Sequence, residues 1–237
     1  MKMIVGLMSV IAILLVALAG PMYKFGIVEL GTAFTGFKFG LFAGIAALVL
    51  LAIQLLFKRN TASIGSALAS AVLAVAAIAV PLSMMNTAKN VPPIHDISTD
   101  LMNPPEFVAT APLRADAPNP VAYAGAEVAE QQRTAYPDLQ TLTHAQSKPE
   151  LVKASKQAIE NLGWELVNTD TDKGIIEATD TTAWFGFKDD VIIRVTDNDS
   201  ERLVDIRSKS RVGQSDLGKN AARIHSFIKE LDSVLAK

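Results

Sequence analysis

The chain has 237 residues, half of them hydrophobic and only 19% charged, against about 25% charge in a typical soluble domain. Residues 1–85 carry six charged side chains (Lys2, Lys24, Glu29, Lys38, Lys58 and Arg59), while the other 152 residues carry 17 Lys/Arg and 23 Asp/Glu, a formal net charge of −6. This split excludes a single soluble globule. The absence of cysteine excludes disulfides, Cys-ligated zinc, a thiol nucleophile and a lipidated cysteine anchor, and the acidic balance argues against nucleic acid as a partner.

Three uncharged apolar stretches fill the first 85 residues: Met3–Gly20, Phe39–Phe57 and the body of a third, Ala62–Met85. At about 1.5 Å per residue each is long enough to cross a hydrocarbon core of about 30 Å. Only a helix satisfies its own backbone within one such segment, so the reading is three transmembrane helices over residues 1–88. Pro21 and Pro81 fall near the ends of the first and third. The first stretch also has features of a cleaved signal peptide, with Lys2 at its start and Ala17-Leu18-Ala19 before Gly20. Its apolar run is longer than a usual signal core, which favours retention.

Lys58 and Arg59 lie in a very short loop, which places that loop on the cytoplasmic side and the C-terminal part outside. Lys24, Lys38 and Lys89 pull the other way. Gly36, Gly40 and Gly44 form a GxxxGxxxG row, and Ala62, Ser66, Ser70 and Ala74 form a second row of small residues. Such faces let helices approach closely in lipid. The motif fits either oligomerisation or packing within one bundle, with the bundle favoured. No Asp, Glu, Lys, Arg or His lies inside the three spans, which argues against a transporter or channel.

Residues 89–113 read as an extended, Pro-rich linker with Pro92-Pro93 and Pro104-Pro105. His95, Asp96 and Asp100 within it make an incomplete metal-ligand set, and no cofactor is expected. Residues 114–237 read as an α+β domain. Ser147-x-x-Glu150 predicts a capping box that opens an amphipathic helix carrying Leu151, Ser155, Ala158, Ile159 and Leu162 and ending at Gly163. Trp164–Asn168 and Ile175–Thr179 predict one hairpin, Val191–Thr196 and Leu203–Ser208 a second. Matching apolar faces in the second hairpin sets Arg194 opposite Asp205, Ile192 opposite Arg207 and Asp190 opposite Lys209. Leu217, Ala221, Ile224, Ile228, Leu231 and Leu235 form the stripe of a last helix, capped by Ser215 or Asp216. The simplest assembly is an antiparallel sheet of about four strands with both helices on one face.

The run Phe187-Lys188-Asp189-Asp190-Val191, then Val204 through Asn220, closing with Arg223-Ile224, resembles the signature of domain-of-unknown-function family 1499. Ala135-Tyr136-Pro137-Asp138-Leu139 and Gly163-Trp164 resemble it too, so the likeness covers roughly residues 95–235. It implies an envelope-associated domain, often joined to membrane helices, and no established chemistry. Many members carry an Asn-Cys-Val-Ser type segment. Its counterpart here is Asn119-Pro120-Val121-Ala122, with neither Cys nor Ser.

The candidate binding residues are Asp189, Asp190, Arg207, Ser208, Ser210, Arg211, Ser215, Asp216, Asn220 and Arg223, crowded into a short length of chain. They admit three readings. One is anion or lipid-headgroup binding, with Arg207, Arg211 and Arg223 beside a helix N-terminus. Asp216 competes for the same donors. Another is an acid/base hydrolase using Asp189 and Asp190, which adjacent positions on a strand set on opposite faces. The third is structural: Asp189 turns inward and Arg–Asp pairs lock strand to helix. Together these lead to the expectation of a non-catalytic domain anchored in the inner membrane and facing the periplasmic side. It would meet the bilayer and an envelope protein or anionic lipid.

Overall fold

The computed structural model describes residues 2–57 and 63–236. Lys58, Arg59, Thr61, Ala62 and Lys237 lie outside the described residues. The chain divides into a helical unit, residues 2–89 together with Ala183–Gly186, and a sheet unit made of the rest.

The helical unit holds α1 (Lys2–Ala17), α2 (Ala19–Lys24), α3 (Leu30–Phe57) and α4 (Ile64–Asn90). Three spans are expected from sequence; two helices, α3 with 28 residues and α4 with 27, are long and apolar enough to cross a membrane. The first stretch is interrupted instead. α1 has 16 residues and rises only about 24 Å. The break has a local cause, since Pro21 brings no N–H for the carbonyl four residues earlier. Pro81, by contrast, sits inside α4.

The glycine row is used within the bundle. A Cβ on Gly40 would stand 2.6 Å from Val16 Cγ2 and 3.0 Å from the Ala12 carbonyl, and one on Gly44 3.0 Å from the Ala74 carbonyl. Successive glycines therefore let α3 approach α1 on one side and α4 on the other. Ser70 and Ala74 of the second small row are buried, Ser70 toward Gly6 of α1 and Ala74 against Gly44. Outward-pointing Phe39, Phe42, Val49, Leu68 and Val72 are each more than half exposed.

The sheet unit contains β1 (Asp96–Ser98), α5 (Ala126–Ala135), β2 (Leu142–His144), α6 (Lys148–Asn161), β3 (Glu165–Asp170), β4 (Ile175–Thr181), β5 (Lys188–Asn198), β6 (Glu201–Ser210) and α7 (Lys219–Leu235). The sheet has six strands where about four are expected. β3 to β6 form an antiparallel meander, and β1 and β2 both pair with β6 at its outer edge. These two have three residues each, too short for a periodic signal. β1 falls in the stretch expected to be linker.

The register of β5 on β6 sets Arg194 opposite Asp205, Ile192 opposite Arg207 and Asp190 opposite Lys209, as hydrophobic matching requires. Ile176, Ala178, Val191, Ile193, Val195, Val204 and Ile206 form one apolar face, and α6 and α7 pack on it. α6 opens on the predicted capping box, where the Glu150 carboxylate accepts from Ser147 N at 2.9 Å and Ser147 Oγ at 2.6 Å. α7 begins two residues later than its stripe suggests. Leu217 and Gly218 both take positive φ, and Asp216 accepts from the N–H groups of Gly218 and Asn220.

Gly40→Leu should overpack the α1–α3 seam and cost about 1–3 kcal/mol, seen as a lower melting temperature of the detergent-solubilised chain by circular dichroism. Gly36→Ala should leave it nearly unchanged, since a Cβ there meets only the Leu15 carbonyl at 3.6 Å.

Candidate functional site

The alternation of β5 and β6 divides eight of the ten candidate residues between the two faces of the sheet, and Ser215 and Asp216 lie in the turn before α7. Asp189, Ser208 and Ser210 point to the helical face, where Asn220 and Arg223 of α7 meet them. Asp190, Arg207 and Arg211 point to the opposite face. They form two sites, each built on a different physical plan.

On the helical face Arg223 is the hub. Its Nε and Nη2 donate to Asp180 Oδ2 at 2.9 and 2.7 Å, and Nη2 donates to Asp189 Oδ2 at 2.6 Å. Nη1 donates to Asn220 Oδ1 at 2.6 Å and Ser208 Oγ at 3.2 Å. Asn220 passes the network on, donating to Ser210 Oγ and the His95 carbonyl. Asp189, Ser208, Ser210, Asn220 and Arg223 are all buried. Buried polar atoms need partners, and here α7 supplies them to strands β4 and β5. Asp180 is absent from the sequence-level candidates, although the β4–β5 register places it directly beside Asp189.

The other face carries more charge. Four cations, Arg114, Arg207, Lys209 and Arg211, share two carboxylates, Asp96 and Asp190. Arg207 clamps Asp96 with two bonds of 2.9 Å, and Lys209 Nζ donates to the same carboxylate at 2.8 Å. Arg211 forks onto Asp190 at 2.9 and 2.8 Å, Arg114 reaches it at 3.2 Å and Thr179 Oγ1 at 2.8 Å. Arg114 donates to the Lys209 and Ser210 carbonyls, and further donors of the other three go to backbone carbonyls of residues 99–124, an irregular strap across this face. Arg207 takes Pro105 and Val121, Lys209 takes Ala122, and Arg211 takes Leu113. The Arg207 guanidinium also lies over the rings of Phe107 and Tyr123, 4.8 and 5.3 Å from their centroids. Within the strap, the segment Asn119–Ala122 is held by Asn119, whose side chain donates to the carbonyls of Ser210 and Gly213.

Three consecutive N–H groups of the strap are satisfied by one buried acid. Glu177 accepts from the backbone N–H of Val108, Ala109 and Thr110 and from Thr110 Oγ1 at 2.7 Å. Nearer its start, Arg194 bridges Asp100 and Asp205 at 2.9 Å each. Arg114 and Glu177 escape sequence reasoning, and Asp96 is read there only as part of an incomplete metal-ligand set, because their partners lie about 70 to 110 residues away. Lys209 was within reach, since it continues the alternation of Arg207 and Arg211.

Burial pushes the Lys209 ammonium below its ordinary value, Asp96 opposing the shift. Arg114 is lowered in the same way. Burial, with the Asp96 charge adding to it, pushes the Tyr123 phenol up to about 12. At the start of α7, burial raises the Asp216 carboxyl against the pull of the Asn220 and Gly218 N–H groups. Those donors face Asp216 and are not open to an external anion. Ser215 Oγ is taken by the Leu217 N–H. His95 Nδ1 lies 3.2 Å from the Gln214 carbonyl, away from Asp96's cation partners. No group of three metal-ligating side chains occurs among the described residues.

Three outcomes follow from this geometry. Asp96→Asn leaves Arg207 and Lys209 buried without their carboxylate and should cost about 3–5 kcal/mol in urea unfolding. Tyr123→Phe keeps the ring over Arg207 and removes a buried hydroxyl that has no hydrogen-bond partner, so it should stabilise by about 1 kcal/mol near neutral pH. The raised Tyr123 pKa lies above its unfolded value, so its contribution is full below about pH 10 and is lost as pH rises toward about 12. The urea midpoint of Tyr123→Phe should fall less steeply across that window than that of the parent chain.

No curated protein matches the chain. The model of a family described as proteins of unknown function, DUF1499, matches residues 96–231, from the first residue of β1 into α7. The match covers more than half of the sequence and both charged networks, and the chain belongs to the DUF1499 family.

Proposed function

We propose that the protein is a non-catalytic domain of the cell envelope, anchored in the inner membrane, whose sheet unit faces the periplasmic side and binds a protein or lipid partner. The anchoring rests on α3 and α4, the two helices long and apolar enough to span. The outward orientation rests on Lys58 and Arg59 in the short connection between them. It does not depend on whether the first stretch also crosses.

The side chains with chemical potential are engaged in holding the fold. Asp189 and Asp190 face opposite sides of the sheet and answer to different arginines. That arrangement lacks the paired geometry an acid/base hydrolase needs.

The observation that carries partner binding is the strap's outer surface. Met102 is 90% exposed, Val108 67% and Leu113 56%. Among the described residues these are the large apolar side chains most exposed in the sheet unit, and all three lie on the strap. Their backbones are fixed from beneath: Met102 N–H by Asp100, Val108 N–H by Glu177, and the Leu113 carbonyl by Arg211. Apolar groups held rigidly in water mark a contact surface.

A photoreactive residue placed at Met102, Val108 or Leu113 in intact cells should yield a defined protein or lipid adduct. The same residue at exposed Lys229 on α7 should yield none. Equal labelling at all four positions, or none at any, would refute the assignment.

A further inference from the structure

The carbonyl that Pro21 leaves without a helical partner is that of Ala17. It is not left open. The indole N–H of Trp184 donates to it at 3.1 Å. The close approach depends on glycine at position 20, where a Cβ would stand 2.6 Å from Trp184 Cδ1 and 2.8 Å from the Trp184 carbonyl oxygen. Lys24 Nζ donates to the Ala183 carbonyl at 3.0 Å. Trp184 meets Phe37 at 5.4 Å between ring centroids, and Phe185, itself 4% exposed, meets Phe34 at 5.8 Å and Tyr23 at 6.4 Å. The tetrapeptide Ala183–Gly186 is thus built into the helical unit by one hydrogen bond to a helix gap and by a ring cluster at the start of α3.

This cluster is continuous with the outward apolar row of α3. Phe34, Phe42, Ile45, Val49 and Ile53 recur at helical spacing on one face and are 38–53% exposed. Trp184 is partly exposed, and Lys24 and Lys38 belong to the same end of the unit. A side chain with an apolar body and one donor, beside lysines and at the edge of an apolar helix face, is matched to the boundary between hydrocarbon and headgroups. We propose that Ala183–Gly186 lies in that boundary zone, with Trp184 as a lipid-facing interfacial anchor that also caps the Ala17 carbonyl. The proposal rests on the membrane reading above.

The chain has two tryptophans, and Trp164 stacks on Phe227 in the core of the sheet unit. The full chain carrying Trp164→Phe therefore reports on Trp184 alone. It would be reconstituted into phosphatidylcholine vesicles whose acyl chains are brominated either near the headgroup or near the chain end. The expected result is co-flotation with the vesicles and loss of the larger share of emission to the shallow bromines. Trp184→Phe, with Trp164 as sole emitter, should float equally and lose no emission to either lipid. Flotation without quenching of Trp184, stronger quenching by deep bromines, or equal quenching of Trp164 would overturn the interfacial placement and leave the membrane reading standing. Failure to float would overturn both.

Discussion

The sheet unit depends on burying one charged face of its sheet, and what makes that burial possible is an exchange of hydrogen bonds with the strap over it. Charges taken out of water cost several kcal/mol each unless every donor and acceptor is matched. Two carboxylates cannot satisfy Arg114, Arg207, Lys209 and Arg211. The carbonyls of Pro105, Leu113, Val121 and Ala122 accept further donors of Arg207, Lys209 and Arg211, and those of Lys209 and Ser210 accept from Arg114. In return the sheet supplies Glu177, which takes three consecutive N–H groups that an irregular segment cannot pair within itself. The strap has almost no regular structure, yet side chains of the sheet hold its backbone at Pro105, at Val108 to Thr110, at Leu113 and at Val121-Ala122. Its apolar side chains at 102, 108 and 113 are left pointing outward as a consequence.

The same accounting operates in the helical unit. A proline in an apolar helix frees a carbonyl, which then needs a donor from elsewhere. Trp184 supplies the missing donor across a notch that only glycine leaves open. Both units therefore place side-chain donors where backbone geometry fails, and in both the partner comes from far along the chain.

This explains what the sequence made legible. The β5–β6 register, the capping box at Ser147 and the stripes of α6 and α7 follow from periods of two and 3.6 and from contacts within a few residues. The two faces of the charged cluster were implicit in the same alternation, and Asp180 and Lys209 belong to it by register. Arg114, Asp96 and Glu177 carry no such mark. Each sits in or beneath a segment without periodicity, and its partner is fixed only by the folded topology. β1 and β2 were hidden because three residues cannot show alternation. The first apolar stretch read as one span because composition does not register the single hydrogen bond that Pro21 removes.

Residues 106–111 are ordered by the Glu177 carboxylate and by the arginines that hold the flanking Pro105 and Leu113 carbonyls. Amide hydrogen exchange on the full chain in detergent tests this directly, at Val108, Ala109 and Thr110. These three amides should show protection approaching that of the β5 amides, and should lose it in Glu177→Ala while β5 stays protected. Exchange of the three at the rate of an open loop in the parent chain would contradict it.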